Sequence, residues 1–173
     1  MSADNLTLFL IRDADEPEMW IDRWARSYPV VQTLSCQAGE GIAVWQQCLA
    51  AAWAHTHGRA MMVAHGSGVG ALMAWQYQSS LLDQQRLAGM MLVSPRPDAC
   101  PDDNAHTLLR ARANCRAALV LGQDDPICSA DWAAEWAQRW GARLLFAPQS
   151  GRLNRPLGGW QWGMKLMQEM LLR

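Results

Sequence analysis

Six short, continuous apolar segments recur along this chain, and helical segments separate them. The apolar segments are residues 6–11, 30–34, 60–64, 87–93, 117–121 and 142–146. Runs of this length without polar alternation are typical of strands buried on both faces of a sheet. Strands that alternate with helices indicate a parallel sheet, because parallel neighbours need a crossover connection. We therefore predict a three-layer α/β/α sandwich around a central, mostly parallel sheet.

The composition fits one domain that spans residues 1–173. Half of the 173 residues are hydrophobic and 18% are charged, which is enough for one packed core. The net charge of −1 argues against nucleic acid or an anionic membrane as a partner. No apolar run is long enough to span a bilayer, and the first residues lack the basic segment of a signal peptide. We therefore expect a cytoplasmic protein.

The cysteines and tryptophans favour core packing over a metal or cofactor site. The five cysteines are scattered without a Cys-x-x-Cys pair, so we expect neither a metal site nor a disulfide framework. Tryptophans at helical spacing are typical of a buried helix face. Five of the ten follow this spacing: Trp20 and Trp24, then Trp132, Trp136 and Trp140. We expect no cofactor.

A strand that runs directly into a tight turn and a helix is the sharpest local feature, at residues 64–68 with the sequence Ala-His-Gly-Ser-Gly. In an α/β-hydrolase the nucleophile lies on such a turn between two small residues, because strand and helix pass close together there. The frame with Ala64 and Gly68 at the small positions puts Gly66 at the nucleophile position. Moving the frame to Ser67 would place two larger residues at the small positions, which is sterically poor.

An acid and a base are expected on two later loops at the same edge of the sheet. Asp125 follows the fifth predicted strand, where the acid of a Ser–His–Asp triad is usually carried. The base should lie on the loop after the sixth strand, but residues 149–154 contain no histidine and include Arg152 instead. A guanidinium stays protonated at ordinary pH, so Arg152 is not a general base.

Several segments of the chain fit one family pattern when they are taken together. They are the Trp-x-x-x-Trp pair at 20–24, the turn at 64–68, Asp-Asp-Pro-Ile-Cys-Ser at 124–129, Gly-Arg-Leu-Asn at 151–154 and Gly-Trp at 159–160. This combination resembles the small serine hydrolases related to retinoblastoma-binding protein 9 and bacterial YdeN. The resemblance covers nearly the whole chain. It implies a single α/β-hydrolase domain and hydrolysis of ester or peptide-like bonds.

The chain departs from this family at the loops that carry its chemistry. The nucleophile position holds Gly66 and the base position holds Arg152. Arg12 and Asp13 stand where the family has His-Gly, and only the acid, Asp125, is retained. Loss of one triad member typically costs about 10⁴–10⁶-fold in kcat. We therefore predict a catalytically inactive relative with a degenerate triad that acts by binding a protein or a small ligand.

A charge replacement would explain the arginine at the base position. Arg152 is expected to form a bidentate ion pair with Asp125. The crevice would then be a salt-bridge cluster or a site for an anionic ligand, with Arg12, His65 and Gly68 as candidate contacts.

Two further interpretations remain open. An active hydrolase would need a displaced Ser67 nucleophile with His106 as the base and Asp125 as the acid. An anion or nucleotide binder would use the Gly-x-Gly-x-x-Ala pattern of residues 66–71, which follows a strand and opens a helix.

Overall fold

Each predicted apolar segment forms a strand in the computed structural model, which describes residues 6–99 and 105–172. The strands are Leu6–Asp13, Val31–Cys36, Arg59–Gly66, Leu87–Pro95, Ala117–Gln123 and Arg143–Ser150, labelled β1 to β6 in chain order. They form one sheet with the spatial order β2-β1-β3-β4-β5-β6, and all the pairings described are parallel. The prediction of a three-layer α/β/α sandwich around a mostly parallel sheet is confirmed.

Helices cover both faces of the sheet. They are Trp20–Ser27, Ile42–Trp53, Ser67–Gln78, Leu81–Gln85, Ala105–Arg110, Ala130–Trp140 and Gln161–Leu171, labelled α1 to α7 in chain order. Buried residues of α2, α3, α5 and α6 share one apolar cluster, and those of α1 and α7 share another. None of the helices in the described residues has both the length and the apolar character that crossing a membrane requires.

Side chains alternate between the two clusters along β1, as they do on any strand. Phe9 belongs to the first cluster, with α2 and α3, whereas Leu10 belongs to the second, with α1 and α7. Polar residues 12 and 13 continue this strand beyond the predicted apolar run. Arg12 and Asp13 consequently point to opposite faces of the sheet and contact different residues.

Tryptophans of the second cluster anchor the segment that follows β6. Trp20 and Trp24 of α1 are fully buried, as predicted. Their indole N–H groups donate to the carbonyl oxygens of Leu153 at 2.7 Å and Gly159 at 2.8 Å. These bonds hold the loop that carries Arg152 against the core. On α6 only Trp140 of the predicted stripe is fully buried, and its two partners are half-buried.

Candidate functional site

Gly66 occupies the apex of the turn between β3 and α3. Its φ of 62° and ψ of −128° lie where glycine is tolerated and residues with a Cβ are strained. The nucleophile of an α/β-hydrolase occupies such a strained turn. Gly68 lies so close to β1 that a Cβ on it would be 2.6 Å from the Ile11 carbonyl oxygen. The structure therefore places Gly66 at the apex, where the sequence frame puts it, and packs Gly68 against backbone.

The side chain of Asp13 fills the space in front of Gly66. A Cβ on Gly66 would lie 2.8 Å from Asp13 Oδ2 and 2.9 Å from Asp13 Cβ, which is too close for atoms not bonded to each other. Asp13 is the last residue of the neighbouring strand β1, and it is completely buried. A side chain at position 66 and the Asp13 side chain would therefore compete for one volume.

The Asp13 carboxylate is held by donors from three segments. Oδ2 accepts from the backbone N–H of Ser67 at 3.0 Å and from Arg96 Nη1 at 3.2 Å. Oδ1 accepts from the backbone N–H of Asp15 at 2.9 Å. Burial by itself would raise the pKa of Asp13, but these donors outweigh it and hold the pKa below its ordinary value. Asp13 is therefore a buried, compensated anion.

A second buried ion pair lies at the ends of β5 and β6. Arg152 Nη1 contacts both carboxylate oxygens of Asp125, at 3.2 and 3.0 Å, and the two side chains are 6% and 1% exposed. The predicted pair is present, but one nitrogen serves both oxygens instead of the expected fork. Arg152 also donates to the carbonyl oxygens of Ser94 at 2.7 Å and Pro95 at 3.0 Å. It thereby connects the ends of β4, β5 and β6.

The buried side chain of His65 contacts the loop that carries Arg152. Its Nε2 lies 2.9 Å from the carbonyl oxygen of Arg152, which only accepts, so Nε2 carries the proton and donates. Burial lowers the pKa of His65 to about 4; the bond to that carbonyl opposes this effect, and the charge of Arg152 adds to it. His65 is therefore neutral near pH 7 and positions the loop after β6.

The residues of the displaced-nucleophile interpretation are not joined by hydrogen bonds in the part of the chain that the structure describes. Ser67 is 1% exposed, and its hydroxyl donates to the carbonyl oxygen of Cys36 at 3.2 Å. His106 is exposed on α5, a helix that packs against α3 and α6. Asp125 is engaged by Arg152 and by the backbone N–H groups of residues 127 and 128.

Comparison with protein families matches residues 12–169 to the family described as serine hydrolase. The chain belongs to the serine hydrolase family. Among curated proteins, none is significantly similar to it in sequence.

Solved structures with the same fold accompany this family match. A YdeN-like hydrolase from Pectobacterium atrosepticum aligns with a TM-score of 0.78 and 21% identity over 98% of this chain and 92% of its own. The ydeN product of B. subtilis aligns at 0.67 and 14% over 94% and 98%. Est1E from Butyrivibrio proteoclasticus aligns at 0.67 and 11% over 97% and 88%. At these identities the structures establish the α/β-hydrolase fold.

The backbone N–H of Ser67 has a different partner from the one expected in a serine hydrolase. In this fold the N–H of the residue after the nucleophile helps to bind the oxyanion of the reaction intermediate. Here that N–H donates to the Asp13 carboxylate. The position that would stabilise a developing negative charge is thus already occupied by a full negative charge.

Arg12, the other departure at the end of β1, lies away from this crevice. Its Nη1 contacts both carboxylate oxygens of Asp22 in α1, at 2.6 and 2.7 Å. Asp22 Oδ2 in turn accepts from the backbone N–H of Met19 and closes the first turn of α1. The structure therefore places this predicted ligand contact in an ion pair that fixes the start of a helix.

Sequence reasoning missed Arg96 as a member of the site. Its guanidinium contacts Asp13 at 3.2 Å and Asp98 at 3.0 Å. Residues 13 and 96 are far apart in sequence, and no spacing rule connects them. The available signal is topological, because both residues lie at the carboxyl ends of parallel strands, where loops converge.

A cavity of about 310 Å³ remains open beside Asp125. Its lining includes Gln123, Asp124 and Cys128 from the segment after β5, and Phe146 from β6. Phe146 is 48% exposed. No three His, Cys, Asp or Glu side chains are grouped as metal ligands within residues 6–99 and 105–172.

Replacement of Arg152 by Met should destabilise the protein by about 3–5 kcal/mol, because it leaves the Asp125 carboxylate buried without its cation. Chemical denaturation of purified variants measures the change. Arg139→Met is the matched control, since it breaks an exposed pair with Glu135 and should cost less than about 1 kcal/mol. Equal losses in the two variants would contradict a structural role for the buried pair.

Replacement of Gly66 by Ser should destabilise the protein by more than about 2 kcal/mol, through a positive φ and an overlap with Asp13. The double variant with Asp13→Gly should recover part of this loss. Gly158→Ser is the control for a side chain at positive φ without overlap, since Gly158 has a φ of 61°, a ψ of 27° and nothing within 4 Å of a Cβ; it should cost less than Gly66→Ser, because its ψ lies in the milder left-handed region. A strictly additive double-mutant cycle would show that the two side chains do not compete.

The stability of the protein should fall as pH decreases from about 6.5 towards 4. Over this range the unfolded chain protonates residue 65 while the folded chain keeps His65 neutral, so the unfolded state binds more protons. Denaturation curves at several pH values measure the slope. His65→Gln should reduce that slope, whereas His55→Gln, on an exposed residue, should leave it unchanged. An unaltered slope in His65→Gln would be evidence that His65 titrates normally.

Proposed function

We propose that this chain is a non-hydrolytic member of the serine hydrolase family that acts by binding a protein or a small ligand. The observation that carries the proposal is the position of Asp13. Its carboxylate fills the space of a nucleophile side chain at residue 66 and accepts the hydrogen bond of the Ser67 N–H. One side chain thus removes both the room for a nucleophile and a donor of the oxyanion site.

The remaining triad positions support the same conclusion. A serine hydrolase needs a neutral base beside its nucleophile, and the base is oriented by an acid. Here Arg152 is permanently protonated and pairs with Asp125, the acid. With a guanidinium in place of the imidazole, acyl transfer lacks the base that takes the proton of the nucleophile.

The surface that remains available for binding includes exposed apolar side chains. Both buried carboxylates have an arginine partner, so the crevice offers little unpaired charge to a ligand. Phe146 lines the cavity beside Asp125 and is 48% exposed, and Ile127, next in sequence to the lining residue Cys128, is 45% exposed. Exposed aromatic and aliphatic side chains beside a cleft are typical of protein contact surfaces. We place the binding surface at this rim.

The two other interpretations make different demands on the same residues. An active hydrolase would need Ser67 to leave a buried position in which its hydroxyl donates to the Cys36 carbonyl. A nucleotide or anion binder at residues 66–71 would need the Ser67 N–H to exchange the Asp13 carboxylate for a ligand.

A fluorophosphonate probe should leave the purified protein unlabelled, and short-chain p-nitrophenyl esters should not be turned over. The reason is the lack of a nucleophile at residue 66 and of a base at residue 152. Labelling that disappears in Ser67→Ala would establish the displaced nucleophile and refute the proposal.

Phosphate, sulfate and NAD should leave the melting temperature unchanged. A saturable shift with any of them would favour the anion site at residues 66–71.

A further inference from the structure

A groove opens at the amino ends of β5 and β6, at the opposite end of the sheet from the crevice. It consists of two adjoining cavities of about 410 and 290 Å³. Both cavities are lined by Arg143, Leu145, Leu166 and Glu169. None of the residues around Gly66 and Asp125 contributes to either lining, so the groove is distinct from the vestigial site.

The walls of this groove are apolar. Leu145 of β6 faces Leu166 and Met170 of α7, and all three are half-buried members of the second cluster. Ala118 of β5 also lines the larger cavity, and its small side chain takes up little of that space. The linings follow α7 from Trp162 to Met170, a rise of about 12 Å.

The rim of the groove is cationic. Arg116, Arg143 and Lys165 surround it, and Glu169 is the acid among its lining residues. In residues 6–99 and 105–172, no ion pair involves any of these four side chains. Arg116 donates to the Met170 carbonyl oxygen, at 3.4 Å. A local excess of positive charge therefore stands beside apolar walls in a chain whose net charge is −1.

These observations define a ligand with an apolar chain and an anionic head. Pockets of roughly 300–1,000 Å³ with apolar walls and a few polar groups are the usual form of small-molecule sites. Arginine binds carboxylates through charge-assisted hydrogen bonds, and its apolar stem tolerates a neighbouring aliphatic chain. An extended chain advances about 3.5 Å per three bonds, so about 12 Å corresponds to roughly ten bonds.

We infer that this groove binds a linear fatty-acid anion of about eight to ten carbons. The carboxylate contacts Arg143 and Lys165, and the aliphatic chain lies along Leu166 and Met170 over Ala118. This site extends beyond the proposed function, because it uses no residue of the crevice.

Isothermal titration calorimetry with decanoate, below its micelle-forming concentration, tests the assignment. We expect saturable binding at one site per chain. Arg143→Met/Lys165→Met should weaken it at least tenfold, because both charge-assisted contacts are lost while the apolar walls remain. Both positions are exposed, so the variant should retain the fold and its melting temperature. Decanol, which lacks the charge, should bind the native protein at least tenfold more weakly than decanoate.

Arg59→Met is the control, since Arg59 is an exposed arginine at the amino end of β3 that lies outside the groove. It should bind decanoate like the native protein. Absence of saturable binding, or equal binding by native protein and double variant, would overturn the assignment. So would loss of binding in an Arg152→Met protein that remains folded, because the site would then lie at the crevice. None of these results alters the expectation for the fluorophosphonate probe.

Discussion

The buried carboxylate of Asp13 is the group on which the organisation of the crevice depends. A carboxylate without solvent is costly unless donors surround it, and the start of α3, the loop after β1 and Arg96 supply them. Gly66 is required at the same time, because a Cβ there would overlap Asp13. The glycine at the apex and the aspartate in front of it are therefore coupled. A nucleophile side chain at residue 66 would overlap Asp13.

Arg152 fills the base position of the crevice with a second buried ion pair, at the ends of β5 and β6. A triad histidine has to be neutral and able to move a proton, whereas Arg152 is fixed by Asp125 and by two carbonyl oxygens at the end of β4. A buried pair of this kind gains little over an apolar contact, but breaking it is expensive. Arg152 thus joins the ends of β4, β5 and β6 through contacts that are costly to break.

Local patterns in the sequence determine most of the fold and part of the site. The apolar runs locate all six strands, and the small residues at Ala64 and Gly68 locate the apex of the turn. Asp125 and Arg152 could be paired from the positions that the acid and the base occupy in the hydrolase pattern. The partnership of Asp13 with Arg96 could not, because it depends on the face to which the end of β1 points. The groove beside α7 could not be predicted from the sequence either, because it is a gap between the half-buried surfaces of β6 and α7.

The two ends of the sheet differ in how their charges are balanced. At the carboxyl end, each buried carboxylate has an arginine, so the charges there are internally compensated. At the amino end, the cations of the groove face solvent, where salt screens attraction beyond about 8 Å. Those cations therefore select an anionic head group only at close contact, and the apolar walls supply most of the affinity. A small anionic ligand is therefore best sought at the amino end of the sheet, where cations outside any described ion pair lie beside apolar surface.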